Sequence, residues 1–155
     1  MEREEIHIAN NKKAHFQYQL SNYLEAGIQL TGTEIKSVRG KQVNINDAHC
    51  FFINEELWIK GMHIPEYKEG TYNNHEPKRI RKLLLKKSEL KKLQSRVKEK
   101  GFTIVPARMY ISKRGLAKIE IALAKGKKQF DKRADIKKRE ADRELKRIEK
   151  ELKKH

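Results

Sequence analysis

The stretch Phe16-Gln-Tyr-Gln-Leu-Ser-Asn-Tyr-Leu-Glu-Ala-Gly-Ile-Gln-Leu30 decides the fold. Phe16, Tyr18, Leu20, Leu24, Ala26, Ile28 and Leu30 all fall on even numbers, and only Asn22 interrupts them. A period of two marks a strand with one buried face, with Tyr23 and Glu25 pointing outward or toward a ligand. Ser21-Asn22 is where a turn or bulge is expected. On this parity Phe16 and Tyr18 belong to the core. Upstream, residues 1–14 mix charge and asparagine without a period and read as a mobile arm.

Downstream, Thr31-Gly-Thr-Glu34 fits a capping box: the threonine hydroxyl accepts from the Glu34 N–H and the carboxylate reaches back. Ile35 and Val38 share one helical face, and Gly40 ends a helix of about two turns. His49–Ile53 and Leu57–Gly61 flank Asn54-Glu-Glu56, a hairpin signal. Residues 65–77 are loop-forming, and Leu83-Leu-Leu85 is a short apolar run. Ser88 opens a helix carrying Leu90, Leu93 and Val97, closed by Gly101. Val105, Ala107, Met109 and Ile111 alternate, as do Ile119, Ile121 and Leu123 after the turn Ser112-Lys-Arg-Gly115. Pro106 cannot donate to a ladder, so an edge or bulge is expected there. The fold class is mainly β with inserted helices: an OB-type antiparallel barrel of about six strands, spanning 15–124. A barrel removes the bare edges that a small open sheet would leave.

Residues 125–155 differ in kind. They hold 14 Lys and Arg against 7 Asp and Glu. Ala141, Leu145, Ile148 and Leu152 form one helical stripe. Such a helix is marginal alone. The segment therefore reads as a basic tail, partly helical when free and ordered by its partner.

The whole chain of 155 residues has 37 Lys and Arg, 21 Asp and Glu, and a net charge of +16. Its hydrophobic fraction, 37%, lies below the ~45–50% usual for globular domains. No apolar run is long enough to span a membrane, and the N-terminus lacks a signal-peptide core. Cys50 has no cysteine partner, which fits a reducing cytoplasm, and reads as a small buried hydrophobe. So high a positive charge points to a polyanion, first of all nucleic acid.

Enzyme signatures are missing: there is no H-x-x-x-H, G-x-S-x-G, P-loop or G-x-G-x-x-G. His49 and Cys50 are strand neighbours and point to opposite faces. No cofactor is expected. The ingredients of RNA binding are present instead, cations for phosphates and flat apolar groups for bases. Lys12 precedes His15 and Phe16. Lys36 and Arg39 ride the short helix. Arg81 sits in the run Lys78-Arg-Ile-Arg-Lys82. The residues alone leave open a ribosomal protein or general RNA chaperone, and more remotely a metal-dependent RNase.

The wording of the motifs goes further. Asn11-Lys-Lys-Ala14, Tyr23-Leu-Glu-Ala-Gly-Ile-Gln-Leu-Thr-Gly-Thr-Glu-Ile-Lys-Ser-Val-Arg39, Gly40–Asp47, Arg81-Lys-Leu-Leu-Leu85 and Ala124-Lys-Gly-Lys-Lys-Gln-Phe-Asp-Lys-Arg133 closely resemble the SmpB family, the SsrA-binding (tmRNA-binding) proteins of bacterial trans-translation. The resemblance implies a barrel that clasps the tRNA-like domain of tmRNA. It also implies a tail that enters the decoding centre and vacant mRNA channel of a stalled ribosome, alongside elongation factor Tu on alanyl-tmRNA. The protein would be a cytoplasmic monomer. Glu25, Leu84 and Lys118 match tmRNA-binding positions, and Asn11 matches an asparagine near the same surface. Lys125, Gly126, Lys127, Lys128, Phe130, Asp131, Lys132 and Arg133 match the ribosome-binding tail, with Phe130 keeping a flat ring. His15-Phe16 replaces the usual Arg-His, and Val38 the usual Leu.

Overall fold

A computed structural model describes residues 4–70, 74–98, 101–126 and 132–153, with backbone alone over 132–137 and at 153. Among these residues seven strands run in chain order: β1 (Ile6–Asn10), β2 (Tyr18–Ile28), β3 (His49–Ile53), β4 (Glu56–Lys60), β5 (Arg81–Leu84), β6 (Phe102–Ile111) and β7 (Ala117–Gly126). Among the described residues four helices accompany them: α1 (Lys12–Gln17), α2 (Gly32–Arg39), α3 (Lys87–Val97) and α4 (Lys132–Lys153). The sheet order is β1-β6-β3-β4-β5-β2-β7, and β6 also pairs with β7. Six antiparallel strands thus close into the expected OB-type ring, with β1 hung outside on β6. Asn54 and Glu55 both take positive φ in the β3–β4 turn, which matches the twist of a tight hairpin.

Two bulges within the ring explain how a sheet of only six strands closes. The β2–β7 register slips between Ser21 and Leu24, where Asn22 has φ 51°. The β6–β7 register slips between Pro106 and Arg108. Both slips flank Ile121 of β7, so the sheet bends on each side of that strand. Each bulge also swaps the faces of its strand. Tyr18 and Leu20 pack outside the ring with Ala14, Val105 and Ala124, whereas Leu24, Ala26 and Ile28 pack inside it. The even positions therefore serve two different cores. Likewise Val105 lies outside and Met109 and Ile111 inside.

The region before β2 corrects two readings. Residues 6–10 form β1, paired from Ile6↔Ile111 to Asn10↔Arg108, instead of a free arm throughout. Phe16 sits on α1, at helical and not strand spacing, and is 81% exposed instead of in the core. Asn11 organises this corner. Its side-chain oxygen caps α1 by accepting from Ala14 N (3.0 Å), and its Nδ2 donates to the carbonyl of Pro106 (2.8 Å) at the β6 bulge.

The capping box on α2 is present as expected: Thr31 N donates to Glu34 Oε1 (2.8 Å) and Glu34 N to Thr31 Oγ1 (3.4 Å). Gly40 follows the helix in an ordinary right-handed conformation, and the positive φ falls on Lys41. The second inserted helix starts at Lys87, one residue before Ser88, because Glu89 accepts from Lys86 N (3.0 Å). Glu34 does more than cap. It is fully buried, accepts from Arg79 Nη2 (2.6 Å) through Oε1, and accepts from Arg81 Nε through Oε2. Arg81, also fully buried, donates onward to the carbonyls of Met62 and Pro77 (both 3.1 Å). His75 adds a further tie between Thr33 and the carbonyl of Ile64 (both 2.9 Å). One carboxylate thus pins α2 to β5 and to the loop between β4 and β5.

The tail helix α4 has a seat on the barrel. Ile148 is buried against Phe51 and Ile53 of β3, with Leu145 and Leu152 beside Trp58 and Ile80. Glu144 pairs with Lys60 at 2.6 Å. The sequence reading leaves this helix half-formed until a partner orders it. Here packing supplies what nucleation costs; full burial of an Ile is worth about 1.5–3 kcal/mol. Ala141, the first member of the stripe, is exposed, so only the C-terminal half is seated.

Removing the hub should be costly. Glu34→Ala strands two guanidinium groups, and urea unfolding should show a loss of about 3–5 kcal/mol. Burial by itself would raise the Glu34 carboxyl. The hydrogen bonds from Arg79 and Thr31 N and the charge of Arg81 outweigh it, so its folded value lies below 4.5. The lowered value makes this stabilisation complete above pH 4.5 and lost as pH falls through the folded value. The gap between wild type and Glu34→Ala should therefore narrow below that pH; a constant gap down to pH 2 would contradict the linkage.

Candidate nucleic-acid interface

The outer face of β2, β7 and β6 carries a row of polar groups that the two bulges aim outward. Glu25 lies opposite Glu120, and Lys118 lies between Gly27 on one side and Tyr110 on the other. The hydroxyl of the largely buried Tyr110 donates to Glu25 Oε2, and Lys118 Nζ stands 3.7 Å from Glu25 Oε1. Arg108 stacks 4.3 Å over the Tyr110 ring and reaches Glu5 (2.6 Å) and Glu120 (3.6 Å). Burial, then the hydrogen bond to Glu25 and its charge, push the Tyr110 phenol well above its ordinary value, so it remains a donor. Glu25 is thereby held in place with more than half of its side chain open to solvent.

Beside this row lies a groove of about 640 Å³. Its walls include Leu84, Leu116, Ile35, Arg39, Arg79 and Lys118. Leu84, Leu116 and Ile35 are exposed at 45%, 56% and 37%. The β6–β7 turn presents Leu116; Gly115 has φ 84° and donates to the carbonyl of Ser112 (2.8 Å). Flat apolar ground edged by cations suits unstacked bases and the phosphates that connect them.

The structure brings Glu25, Leu84, Lys118 and Arg39 to this one place. Lys12 is exposed on α1, at the outer corner. Lys36 lies 5.4 Å over the Tyr67 ring and does not line the groove. Arg81 and Asn11 are at most 1% exposed. Both were expected to touch RNA, and both spend their polar atoms inside the fold: Arg81 on Glu34, Asn11 on α1 and the Pro106 bulge. Lys125 and Gly126 end β7 and are exposed, with Lys125 over Phe102 at 5.5 Å. Lys127, Lys128, Phe130 and Asp131 lie outside the described residues. Lys132 and Arg133 open α4, where backbone alone is described. Sequence reading missed Tyr110, Arg108 and Leu116; Tyr110 and Arg108 lie beyond the bulge at Pro106, and that break was the available signal.

Among the described residues, no three His, Cys, Asp or Glu side chains converge as a metal site, and no helix is long and apolar enough to cross a membrane. Cys50 is buried, and burial raises its thiol pKa well above the ordinary range.

A family profile described as SmpB protein matches residues 8–151. The chain belongs to the SmpB family. Similar relatives include the SsrA-binding protein of Cytophaga hutchinsonii, 55% identical over 89% of this chain and 90% of the relative. Those of Phocaeicola vulgatus and Thermosipho africanus are 53% and 49% identical over 89% of this chain, and over 92% and 93% of their own lengths. A solved chain described as "tmRNA-SmpB: a journey to the center of the bacterial ribosome" is 41% identical, with a TM-score of 0.68, covering 80% of this chain and 87% of that one. The six-stranded ring is thus the architecture of an SmpB-family chain, and the match reaches into α4.

The Tyr110–Glu25 bond can be checked without RNA. Glu25→Ala removes the acceptor of a partly buried hydroxyl and should cost about 0.5–1.5 kcal/mol. Adding Tyr110→Phe should recover most of that loss in a thermal or urea melt. Additive losses would mean that the two side chains are not coupled.

Proposed function

We propose that this chain binds the tRNA-like domain of tmRNA on the groove beside Glu25 and delivers it to stalled ribosomes for trans-translation. The convergence of Glu25, Leu84 and Lys118, from three separate strands, carries the reading. Glu25 supplies a held acceptor for base N–H groups, Leu84 and Leu116 a flat apolar floor, and Lys118, Arg39 and Arg79 the phosphate contacts. Lys12 and Lys36 extend the basic surface around it. The basic segment from Lys125 through Arg133 enters the decoding centre and the vacant mRNA channel, where its cations meet rRNA and Phe130 stacks. The chain acts in the cytoplasm as a monomeric RNA-binding factor and not as an enzyme, with alanyl-tmRNA and elongation factor Tu as companions. Membership in a family whose relatives are SsrA-binding proteins supports this reading, as does likeness to a chain described with tmRNA and the ribosome.

Lys118→Ala and Leu84→Ala should each weaken binding of the tRNA-like domain about 10-fold, or roughly 1.4 kcal/mol, in a filter-binding or calorimetric titration. Affinity should fall steeply between about 50 and 200 mM salt; unchanged dissociation constants for both variants would remove the groove from the interface. Truncation after Gly126 should leave RNA affinity within a few-fold of wild type yet abolish peptide tagging in a reconstituted translation system. A truncated chain that still tags would refute this division of labour.

A further inference from the structure

A carboxylate on a face that meets phosphates is repelled by them unless the RNA also brings it hydrogen-bond donors. Glu25 stands on such a face with more than half of its side chain open to solvent. Its Oε2 accepts from the Tyr110 hydroxyl, and Lys118 Nζ stands 3.7 Å from Oε1, beyond hydrogen-bond length. A carboxylate has about four acceptor sites, so Glu25 keeps acceptor capacity on both oxygens. Two residues along β2, on the same face of the sheet, comes Gly27. It pairs with Leu84 on one side and with Lys118 on the other. Having no side chain, it lets Leu84 lean across it: a Cβ there would lie 3.4 Å from Leu84 Cβ and 3.6 Å from Cδ1. All three residues line the groove. The result is low apolar ground beside Glu25 with an amine at its edge. A base laid flat on Leu84 turns one edge to the carboxylate.

The chemistry of that edge selects the base. Single-stranded RNA is read largely on Watson–Crick edges, and a carboxylate only accepts. Guanine alone among the four RNA bases sets two adjacent donors, N1–H and N2–H, on that edge, and the pair matches the two oxygens of a carboxylate. Adenine and cytosine set a ring-nitrogen acceptor beside their amine, and uracil flanks its one N–H with two carbonyls. Each of these three would bring an acceptor against Glu25. We propose that Glu25, with Leu84 lying over Gly27 as the floor, reads an unpaired guanine of the bound RNA. Tyr110 is then a positioning residue that fixes the carboxylate before the base arrives, and Lys118 is left for a neighbouring phosphate. This inference rests on the groove as the RNA site and adds a base identity to it.

The test uses the full chain and synthetic tRNA-like domains of tmRNA in which each unpaired guanine is replaced in turn by inosine, which lacks the N2 amine. One of these replacements should weaken binding to the wild type about 10-fold. On Glu25→Ala the same replacement should change affinity less than about two-fold, because the acceptor of that amine is gone. Tyr110→Phe should shrink the guanine-to-inosine ratio to about three-fold; a ratio kept at its wild-type size would deny Tyr110 its positioning role. Glu25→Gln presents one acceptor and one donor, the complement of adenine. It should bind the domain carrying adenine at that nucleotide more tightly than the one carrying guanine, the reverse of the wild-type order; an unreversed order would contradict the edge-on reading. Gly27→Val lifts Leu84 off the floor and should weaken binding with the thermal melt retained; full affinity would remove the floor from the site. The inosine scan leaves the protein unaltered, so it decides even where a variant fails to fold. A wild type that tolerates every inosine, or an equal inosine penalty on Glu25→Ala, would overturn the guanine reading and leave the groove in place. Should Leu84→Ala and Lys118→Ala also bind as the wild type does, the groove itself is wrong and the base reading goes with it.

Discussion

A single buried carboxylate holds the working parts of this molecule in register. Glu34 caps α2 through the backbone of Thr31, and the same two oxygens gather Arg79 and Arg81 from the far side of a long loop. Removing charges from water is costly, and only a full set of hydrogen bonds repays it. Glu34 and Arg81 meet that condition: Arg81 also reaches two backbone carbonyls, and the pair sits at zero exposure. The consequence is positional. Arg79 and Arg39 reach the groove because α2 and the end of the loop are fixed against β5, the strand that offers Leu84. The apolar floor and its cationic rim are thus set by a carboxylate buried behind them, with Arg79 belonging to both the hub and the rim.

The second constraint is curvature. A ring of only six strands must bend sharply, and it does so on both flanks of β7 at the level of Ile121. One bulge is paid for in backbone conformation at Asn22, and the other leaves the Pro106 carbonyl to accept from Asn11 Nδ2. The bulges also send Glu25, Arg108 and Tyr110 to the outer face, where they form one network. Shape and site therefore share a cause.

Much of this was legible in the residues. The period-two strands, the Thr31–Glu34 box, the hairpin at Asn54 and the break at Pro106 all depend on near neighbours, and local chemistry determines them. The failures have one physical origin, partners distant in sequence. Arg81 reads as a phosphate contact among cations because its partner lies 47 positions away. Asn11 enters through the family wording as a residue near the RNA surface, and its carbonyl partner, 95 positions away, is invisible to a local reading. Parity assigned Tyr18 and Leu20 to the same face as Leu24, since alternation alone cannot show that a bulge has exchanged inside for outside. Phe16 kept that parity by coincidence while belonging to a helix. In the candidate site, Glu25, Leu84 and Lys118 were found through family wording, whereas Tyr110, which holds Glu25, carried no motif.

The central claim is that the groove between α2, β5 and the β6–β7 turn is where RNA sits. Hydroxyl-radical labelling of side chains, read by mass spectrometry on the full chain with and without the tRNA-like domain of tmRNA, addresses it directly. The account predicts strong protection of Leu84 and Leu116, which are 45% and 56% exposed in the free chain. Equal labelling of both leucines in the bound and free states would contradict it.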